Sequence, residues 1–262
     1  MEPTGSSGPD DWWSARLPER QIDYHVRVVT RAGAASRRPL VYVATPKAAC
    51  TTLKATLWRW HLRDADCVVG PEVVHRQTDA TFRAPRELGF RAFMADINSP
   101  DYVRLCFVRN PYTRLLSCYL NKIVGRNAAG RIRKDGLAFR AKFGFAEDDD
   151  IPFAAFVDRI ASESWYEANP HWRVQTEQLL WGDVRYDFVG RFESFLPELD
   201  RLAREWDVDL RGYLLDRVHH ATHAHRHVGR FYTPALQARV HDLYRADFDA
   251  FGYDRALPGP AG

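Results

Sequence analysis

Lys47 lies in a short turn between an apolar, β-rich run and a helical pattern. The run 41–44 predicts a strand that stops at Thr45-Pro46, and a helix is predicted over 51–63. The first turn of a helix carries unpaired N–H groups and partial positive charge, so it suits a phosphate. Small residues follow Lys47 and let backbone amides approach an anion closely. The pattern predicts an anion-binding turn, although an ordinary βα turn with a solvated lysine would read the same way.

This turn is not a Walker A loop. The Walker pattern places two glycines before its lysine, and no glycine lies near Lys47. Lys47 also precedes the predicted helix instead of opening it. Hydrolysis of a nucleoside triphosphate is therefore disfavoured.

A second strand and helix carry the other candidate anion ligands. Residues 105–108 predict a short buried strand, and Pro111 fits the first position of the helix that follows. Arg109 then lies at the carboxyl end of the strand, and Ser117 lies two turns along the helix. A forked guanidinium group and a hydroxyl suit a second phosphate. A surface arginine and a helix-interior serine are the plainer alternative.

Together these segments resemble the sulfotransferases, in the form of the carbohydrate sulfotransferases that act on chondroitin, dermatan and related glycans (sulfotransferase family 2). Residues 46–51 look like their 5′-phosphosulfate loop, and residues 107–117 look like their 3′-phosphate strand and helix. Further similar blocks occur at 169–175, 186–193 and 244–253. Any one block is weakly specific, but five in the family's order are strong.

The resemblance implies a fold and a reaction. The fold would be α/β, a P-loop-like three-layer arrangement with a central, mainly parallel sheet flanked by helices. The reaction would be in-line transfer of a sulfuryl group from 3′-phosphoadenosine 5′-phosphosulfate (PAPS). The acceptor would be a hydroxyl of a carbohydrate or a sugar-bearing metabolite, and no metal would be required.

The resemblance also implies roles for individual residues. Lys47 would stabilise the charge that grows on the leaving phosphate. His75 is the first choice for the general base, because related enzymes place a histidine in this interval, and His171 is the second. The predicted catalytic residues are Lys47, His75 and His171, and the predicted donor-binding residues are Lys47, Ala48, Ala49, Cys50, Thr51, Thr52, Leu53, Arg109, Ser117 and Arg230.

Length and composition bound the remaining expectations. The 262 residues, with 45% hydrophobic residues, fit one domain over 15–256, with a disordered tail over 1–14 and a C-terminal tail over 257–262. A net charge of +3 is too small to imply nucleic-acid binding. Animal family members are usually anchored Golgi proteins. Because this chain starts with a polar segment and shows no apolar membrane span, we expect a soluble, cytoplasmic enzyme.

Two rival functions remain at this stage. A P-loop kinase-like phosphotransferase would need a Walker lysine and an acidic ligand for Mg²⁺. A non-catalytic nucleotide-binding or glycan-binding module would bind the donor without transferring its sulfuryl group. The histidines between 219 and 227 show no cysteine or acidic partner for a metal, so no metal site is predicted. The oligomeric state cannot be read from the sequence.

Overall fold

The computed structural model describes residues 26–29, 39–68, 70, 74, 82–83, 93, 97, 99–214 and 222–259. The chain divides into two compact units. The first comprises the described residues of Met1–Val108 and Glu177–His219, and the second those of Arg109–Thr176 and His220–Gly262. The prediction of a single domain over 15–256 with short tails stays a prediction, and the predicted tail over 1–14 lies outside the described residues.

The first unit contains a mixed sheet. Its strands are β1 (Val26–Val29), β2 (Leu40–Val43), β3 (Phe82–Arg83), β4 (Val103–Val108) and β5 (Phe188–Arg191). Their spatial order is β3-β1-β2-β4-β5. β2 pairs in parallel with β4, and β4 with β5, whereas β1 is antiparallel to both of its neighbours. Because β2 and β4 are parallel neighbours, they end at the same edge of the sheet.

The described α-helices are α1 (Cys50–Leu62), α2 (Pro111–Cys118), α3 (Lys134–Phe143), α4 (Phe153–Ile160), α5 (Gln175–Gln178), α6 (Phe195–Trp206), α7 (Val228–Phe231), α8 (Pro234–Leu243) and α9 (Arg245–Phe251). In the first unit, α1 and α6 pack on the sheet. Alternate strand residues face the same side, which is why Tyr42, Leu105 and Phe107 share one core with Leu57 of α1 and Leu202 of α6. The predicted α/β class is confirmed: the parallel strands β2, β4 and β5 form part of a small sheet that is flanked by helices.

The second unit is helical and has an aromatic core. Tyr112 of α2 contacts Tyr232 and Phe248, with ring centroids 5.3 and 4.9 Å apart. Every residue of α2 is buried, so this helix has no solvent face. The sequence pattern over 234–250 predicts a single helix, but the structure forms two, α8 and α9, with Tyr244 between them. The hydroxyl of Tyr244 donates to the carbonyl oxygen of Trp172 at 2.5 Å.

The sequence pattern over 86–96 also predicts a helix, and this segment lies almost wholly outside the described residues. None of the helices in the described part of the chain has the length and hydropathy that a bilayer crossing requires.

An ion pair joins Arg104 of β4 to Asp187, the residue directly before β5. The guanidinium group of Arg104 donates to both carboxylate oxygens of Asp187, at 2.7 and 2.9 Å. The backbone N–H of Arg104 donates to the same carboxylate at 2.8 Å. Both side chains are largely buried, with 14% and 18% of their surface exposed, so neither group could recover full hydration if the other were removed.

We expect Asp187→Ala to lower the free energy of unfolding by about 2–3 kcal/mol, because it leaves the guanidinium group of Arg104 without its partner. Asp200→Ala is the control, since Asp200 pairs with Arg211 at 2.9 Å on the exposed surface. That change should cost less than about 1 kcal/mol. Urea denaturation measures both, and equal losses would contradict the role given to the Asp187 pair.

Candidate functional site

The Lys47 turn has an unusual backbone. Lys47 and Ala49 have φ values of 71° and 58°, in the left-handed region that costs a non-glycine residue about 1–2 kcal/mol. The N–H of Ala48 donates to the carbonyl oxygen of Thr45 at 3.2 Å and closes the turn. Ala49 is the N-cap of α1, and its carbonyl oxygen accepts from the N–H of Leu53 at 2.9 Å. The turn is therefore fixed by contacts between near neighbours.

The start of α1 suits an anion. The N–H groups of the first helical turn have no acceptor within the helix, and the methyl group of Ala49 cannot supply one. Alternation of left-handed and right-handed residues also turns successive N–H groups to one side, as in anion-binding nests. Ala48 and Leu53 are fully buried and anchor the turn, whereas Lys47, Cys50 and Thr51 are half-buried. Thr52 is buried on the same helix.

Arg109 follows β4 and belongs to the second unit. Its side chain is buried, and its Nε donates to Thr113 Oγ1 at 3.1 Å. Asn110 caps α2, because its Oδ1 accepts from the N–H of Tyr112 at 3.0 Å. The side chain of Gln175 contacts the backbone of Arg109 on the other side. The guanidinium group therefore extends from a backbone that is held on two sides.

Ser117 is buried on α2 and contacts a loop far along the chain. Its Oγ is hydrogen-bonded to Thr222 Oγ1 at 2.9 Å. Thr222 also lines a cavity of about 310 Å³, together with Leu120, His227, Arg230 and Phe231. Arg230 is exposed on α7. Arg230, a predicted donor-binding residue, thus lines this cavity of the second unit directly. Ser117, another, contacts Thr222, which lines the same cavity.

The loop that carries Thr222 is positively charged. Burial lowers the pKa of His225, and the charges of Arg226 and Arg109 lower it further. His225 therefore lies within electrostatic reach of Arg109. A group with negative charge would relieve this repulsion, so the environment of Arg109 favours an anion.

His171 is held in one orientation by Asn169. The Oδ1 of Asn169 accepts from the backbone N–H of His171 at 3.0 Å and lies 2.8 Å from Nδ1 of the ring. Since Oδ1 only accepts, the neutral ring carries its proton on Nδ1 and leaves Nε2 as a base. Asp135 lies 3.9 Å from Nδ1 and also pairs with Lys122 at 2.9 Å.

Asp135 adds negative charge beside this histidine. Burial raises the pKa of Asp135, but His171, Lys122 and the hydrogen bonds to it outweigh burial, and the net pKa lies below its ordinary value. Asp135 is therefore ionised at neutral pH. Its charge would stabilise the imidazolium form of His171 after proton uptake.

The structure leaves one candidate base undescribed. His75 lies outside the described residues, as do His219 and His220 of the histidine-rich segment. Among the described residues, no group of three or more His, Cys, Asp or Glu side chains could hold a metal ion.

Two residues that contact predicted site residues carry no such prediction from the sequence: Thr222 contacts Ser117, and Gln175 contacts Arg109. Asp247, likewise not predicted, contacts Gln175. The only sequence signal for Gln175 and Asp247 was their place in two of the blocks that resemble the family. Thr222 carried no signal, because a threonine in a polar loop has no distinguishing pattern.

Asn169→Ala should redistribute the neutral tautomers of His171 toward the Nε2–H form, because Nδ1 loses its acceptor. Nitrogen-15 NMR of the imidazole ring measures the two forms directly. Asn127→Ala is the control, since Asn127 Oδ1 makes a similar turn with the N–H of Ala129 at 3.0 Å. An unchanged tautomer ratio in Asn169→Ala would refute the role of Asn169.

Several curated proteins are similar to this chain. Carbohydrate sulfotransferase 12 of Mus musculus is 25% identical over 84% of this chain and 59% of its own length. Carbohydrate sulfotransferase 14 is 26% identical over 81% of this chain and 59% of its own in Danio rerio, and 28% over 76% and 50% in Mus musculus. The chain thus spans about half to three-fifths of these relatives. No solved structure gave a significant match.

These relatives correct the expected location. They are animal carbohydrate sulfotransferases, the class of Golgi membrane enzymes named above. The description of the protein as cytoplasmic conflicts with that class and is wrong as an inference from the resemblance. The polar first residues were an insufficient basis for it.

The profile of the sulfotransferase family matches residues 33–254. The match runs from the segment before β2 to the residues after α9, so it includes the Lys47 turn, Arg109, Ser117 and His171. Members of this family use a sulfonate donor. The chain belongs to the sulfotransferase family.

Proposed function

We propose that this protein transfers a sulfuryl group from PAPS to a hydroxyl of a carbohydrate or a sugar-bearing metabolite. The observation that carries the proposal is the Lys47 turn, whose left-handed residues and uncapped helix start suit the 5′-phosphosulfate group. The family match and the names of the carbohydrate sulfotransferase relatives support the same reaction. With this reaction we propose the P-loop-like, three-layer form of the α/β fold.

Each predicted residue then has a role in holding the donor. The amides from Ala49 to Thr52 and the hydroxyls of Thr51 and Thr52 bind the 5′-phosphate, and Ala48, Cys50 and Leu53 give the turn its shape. Arg109 and Ser117 bind the 3′-phosphate, and Arg230 lies against the nucleotide. The positive surroundings of Arg109 support this assignment.

The proposed binding of the donor gives Lys47 and one histidine a role in the transfer step. The acceptor oxygen attacks sulfur as the bond from sulfur to the phosphate oxygen breaks, and Lys47 neutralises the charge that grows on that oxygen. His75 or His171 takes the hydroxyl proton. The tautomer set by Asn169 supports His171, because Nε2 is the nitrogen that can accept.

The rival functions are not favoured. A P-loop kinase would use ATP and Mg²⁺, and the Lys47 turn lacks the glycines of a Walker loop. A non-catalytic module would bind the donor without transferring its sulfuryl group. No nucleic-acid partner is part of the proposal.

Calorimetric titration tests the donor directly. The bisphosphate product, 3′-phosphoadenosine 5′-phosphate, should bind tightly, and ATP with Mg²⁺ should bind weakly. A folded protein that binds ATP and Mg²⁺ but not the bisphosphate would overturn the proposal. Transfer of radiolabelled sulfate to a panel of desulfated glycans and sugar-bearing metabolites then tests the reaction and distinguishes the non-catalytic module.

Lys47→Ala should lower kcat by about 10²–10³, because a preorganised positive charge is lost from the transition state. The affinity for the bisphosphate should change much less, since the backbone amides remain. Lys134→Ala, a change at an exposed lysine of α3, is the control for removing one positive charge. Steady-state kinetics with the best acceptor measures both. An equal effect of the two changes would remove Lys47 from the reaction.

Binding of the bisphosphate should strengthen as the pH falls from about 7.5 to 6, because the incoming phosphate favours protonation of His225. In the free protein the pKa of His225 is lowered, so protonation is coupled to binding. His225→Gln should bind the bisphosphate about threefold more weakly than the wild type at pH 6. Protonation of the ligand affects both proteins equally, so it cancels when the two Kd values are compared at the same pH. His61→Gln, on α1, is the control, and identical pH profiles for wild type and His225→Gln would contradict the coupling.

A further inference from the structure

The side chain of Gln175 pairs with the backbone of Arg109 at two points. Its Oε1 accepts from the N–H of Arg109 at 2.9 Å, and its Nε2 donates to the carbonyl oxygen of Arg109 at 2.9 Å. Gln175 is 0% exposed and Arg109 is 5% exposed, so water cannot replace these bonds. The pair resembles one rung of a β-ladder in which the partner is an amide side chain.

Asp247 sets the direction of that amide. Its Oδ2 accepts from Nε2 of Gln175 at 3.1 Å and from the backbone N–H of Gln175 at 2.9 Å. Its Oδ1 accepts from the N–H of Thr176 at 2.8 Å. If the amide were flipped, its oxygen would face the carboxylate and its nitrogen would face the N–H of Arg109. Both contacts would be repulsive, so a single orientation is selected.

Burial of the Asp247 carboxyl group has a large desolvation cost for a residue with only a structural role. Asp247 is 0% exposed, and burial raises its pKa, an effect that the charge of Arg114 and the N–H groups of Gln175 and Thr176 offset only in part. Apolar residues of similar size often stabilise an interior at least as well as a buried charge. Asp247 bonds to Gln175 and Thr176, and the amide of Gln175 in turn makes both hydrogen bonds to the backbone of Arg109.

We propose that Gln175 and Asp247 are positioning residues for recognition of the donor's 3′-phosphate. They fix the backbone of Arg109, and Thr113 holds Nε of the same side chain at 3.1 Å, so the direction of the guanidinium group is set before the ligand arrives. Preorganised donors bind a phosphate without further ordering of the side chain. The inference rests on the proposed function, because it assumes that Arg109 binds the 3′-phosphate.

Discrimination between two ligands separates positioning from a general structural role. The bisphosphate 3′-phosphoadenosine 5′-phosphate carries the 3′-phosphate, and adenosine 5′-phosphate lacks it. Loss of positioning weakens only the first ligand, whereas general damage weakens both. The readout is therefore the Kd of adenosine 5′-phosphate divided by the Kd of the bisphosphate, both measured by calorimetry. A thermal unfolding curve shows whether each variant is folded.

Gln175→Leu keeps the bulk of the side chain and removes both bonds to Arg109. We expect it to lower the ratio of Kd values by about tenfold while binding of adenosine 5′-phosphate stays unchanged. Gln178→Leu is the matched control. Gln178 lies on the same short helix α5, is fully buried, and its amide atoms have no hydrogen-bond partner among the described residues. This control should keep the wild-type ratio.

Asp247→Asn gives a second variant if Gln175→Leu does not fold, and it should lower the same ratio by a smaller factor. Hydrogen exchange on the wild type needs no variant: the bisphosphate should slow exchange of the Arg109 N–H more than adenosine 5′-phosphate does. Equal weakening of both ligands, or equal protection by both, would overturn the inference.

The controls also separate this inference from the proposed function. If the wild type does not discriminate between the two ligands, the proposed donor is wrong and the inference falls with it. If the wild type and Arg109→Ala differ but Gln175→Leu keeps the wild-type ratio, Arg109 binds the 3′-phosphate without help from Gln175, and only the inference fails.

Discussion

The peptide unit of Arg109 has to be satisfied without water at the point where β4 ends. Val108 is the last residue of β4 and Pro111 the first of α2, so the buried residues between them lie outside both regular elements. A buried N–H or carbonyl group must find a partner. Gln175 provides both partners for Arg109, and Asp247 holds Gln175. The strand can therefore end inside the protein and still present an arginine in a defined direction.

The helices α1 and α2, which begin next to the predicted anion ligands, differ in whether a side chain caps their first N–H groups. Asn110 caps α2 with its own side chain, so the first N–H groups of that helix are already bonded. Ala49 occupies the equivalent place before α1, and its side chain has no atom that can accept. The side chain of Ala49 therefore leaves room for another acceptor at the start of α1, and a phosphate is chemically suited to that position.

Local patterns predicted the elements that carry the site, and long-range contacts escaped them. The strand before Lys47, the helix after it and Pro111 at the start of α2 follow from periodicity and backbone preference within a few residues. The contact of Gln175 with Arg109 spans 66 residues, and its contact with Asp247 spans 72. The guanidinium group of Arg114 and the hydroxyl of Tyr244 likewise bond to backbone carbonyl groups of residues distant in sequence. No local rule determines such partners.

The two segments that we propose to bind the donor's phosphates also differ in what maintains their shape. The Lys47 turn is closed by hydrogen bonds between near neighbours, Ala48 to Thr45 and Leu53 to Ala49. These two hydrogen bonds join residues only three and four positions apart. The backbone of Arg109 depends instead on Gln175 and Asp247. A substitution far along the chain can therefore reach the backbone of Arg109 through two hydrogen-bonded residues. The proposed donor selection by Arg109 thus depends on residues that lie 66 and more positions away in the sequence.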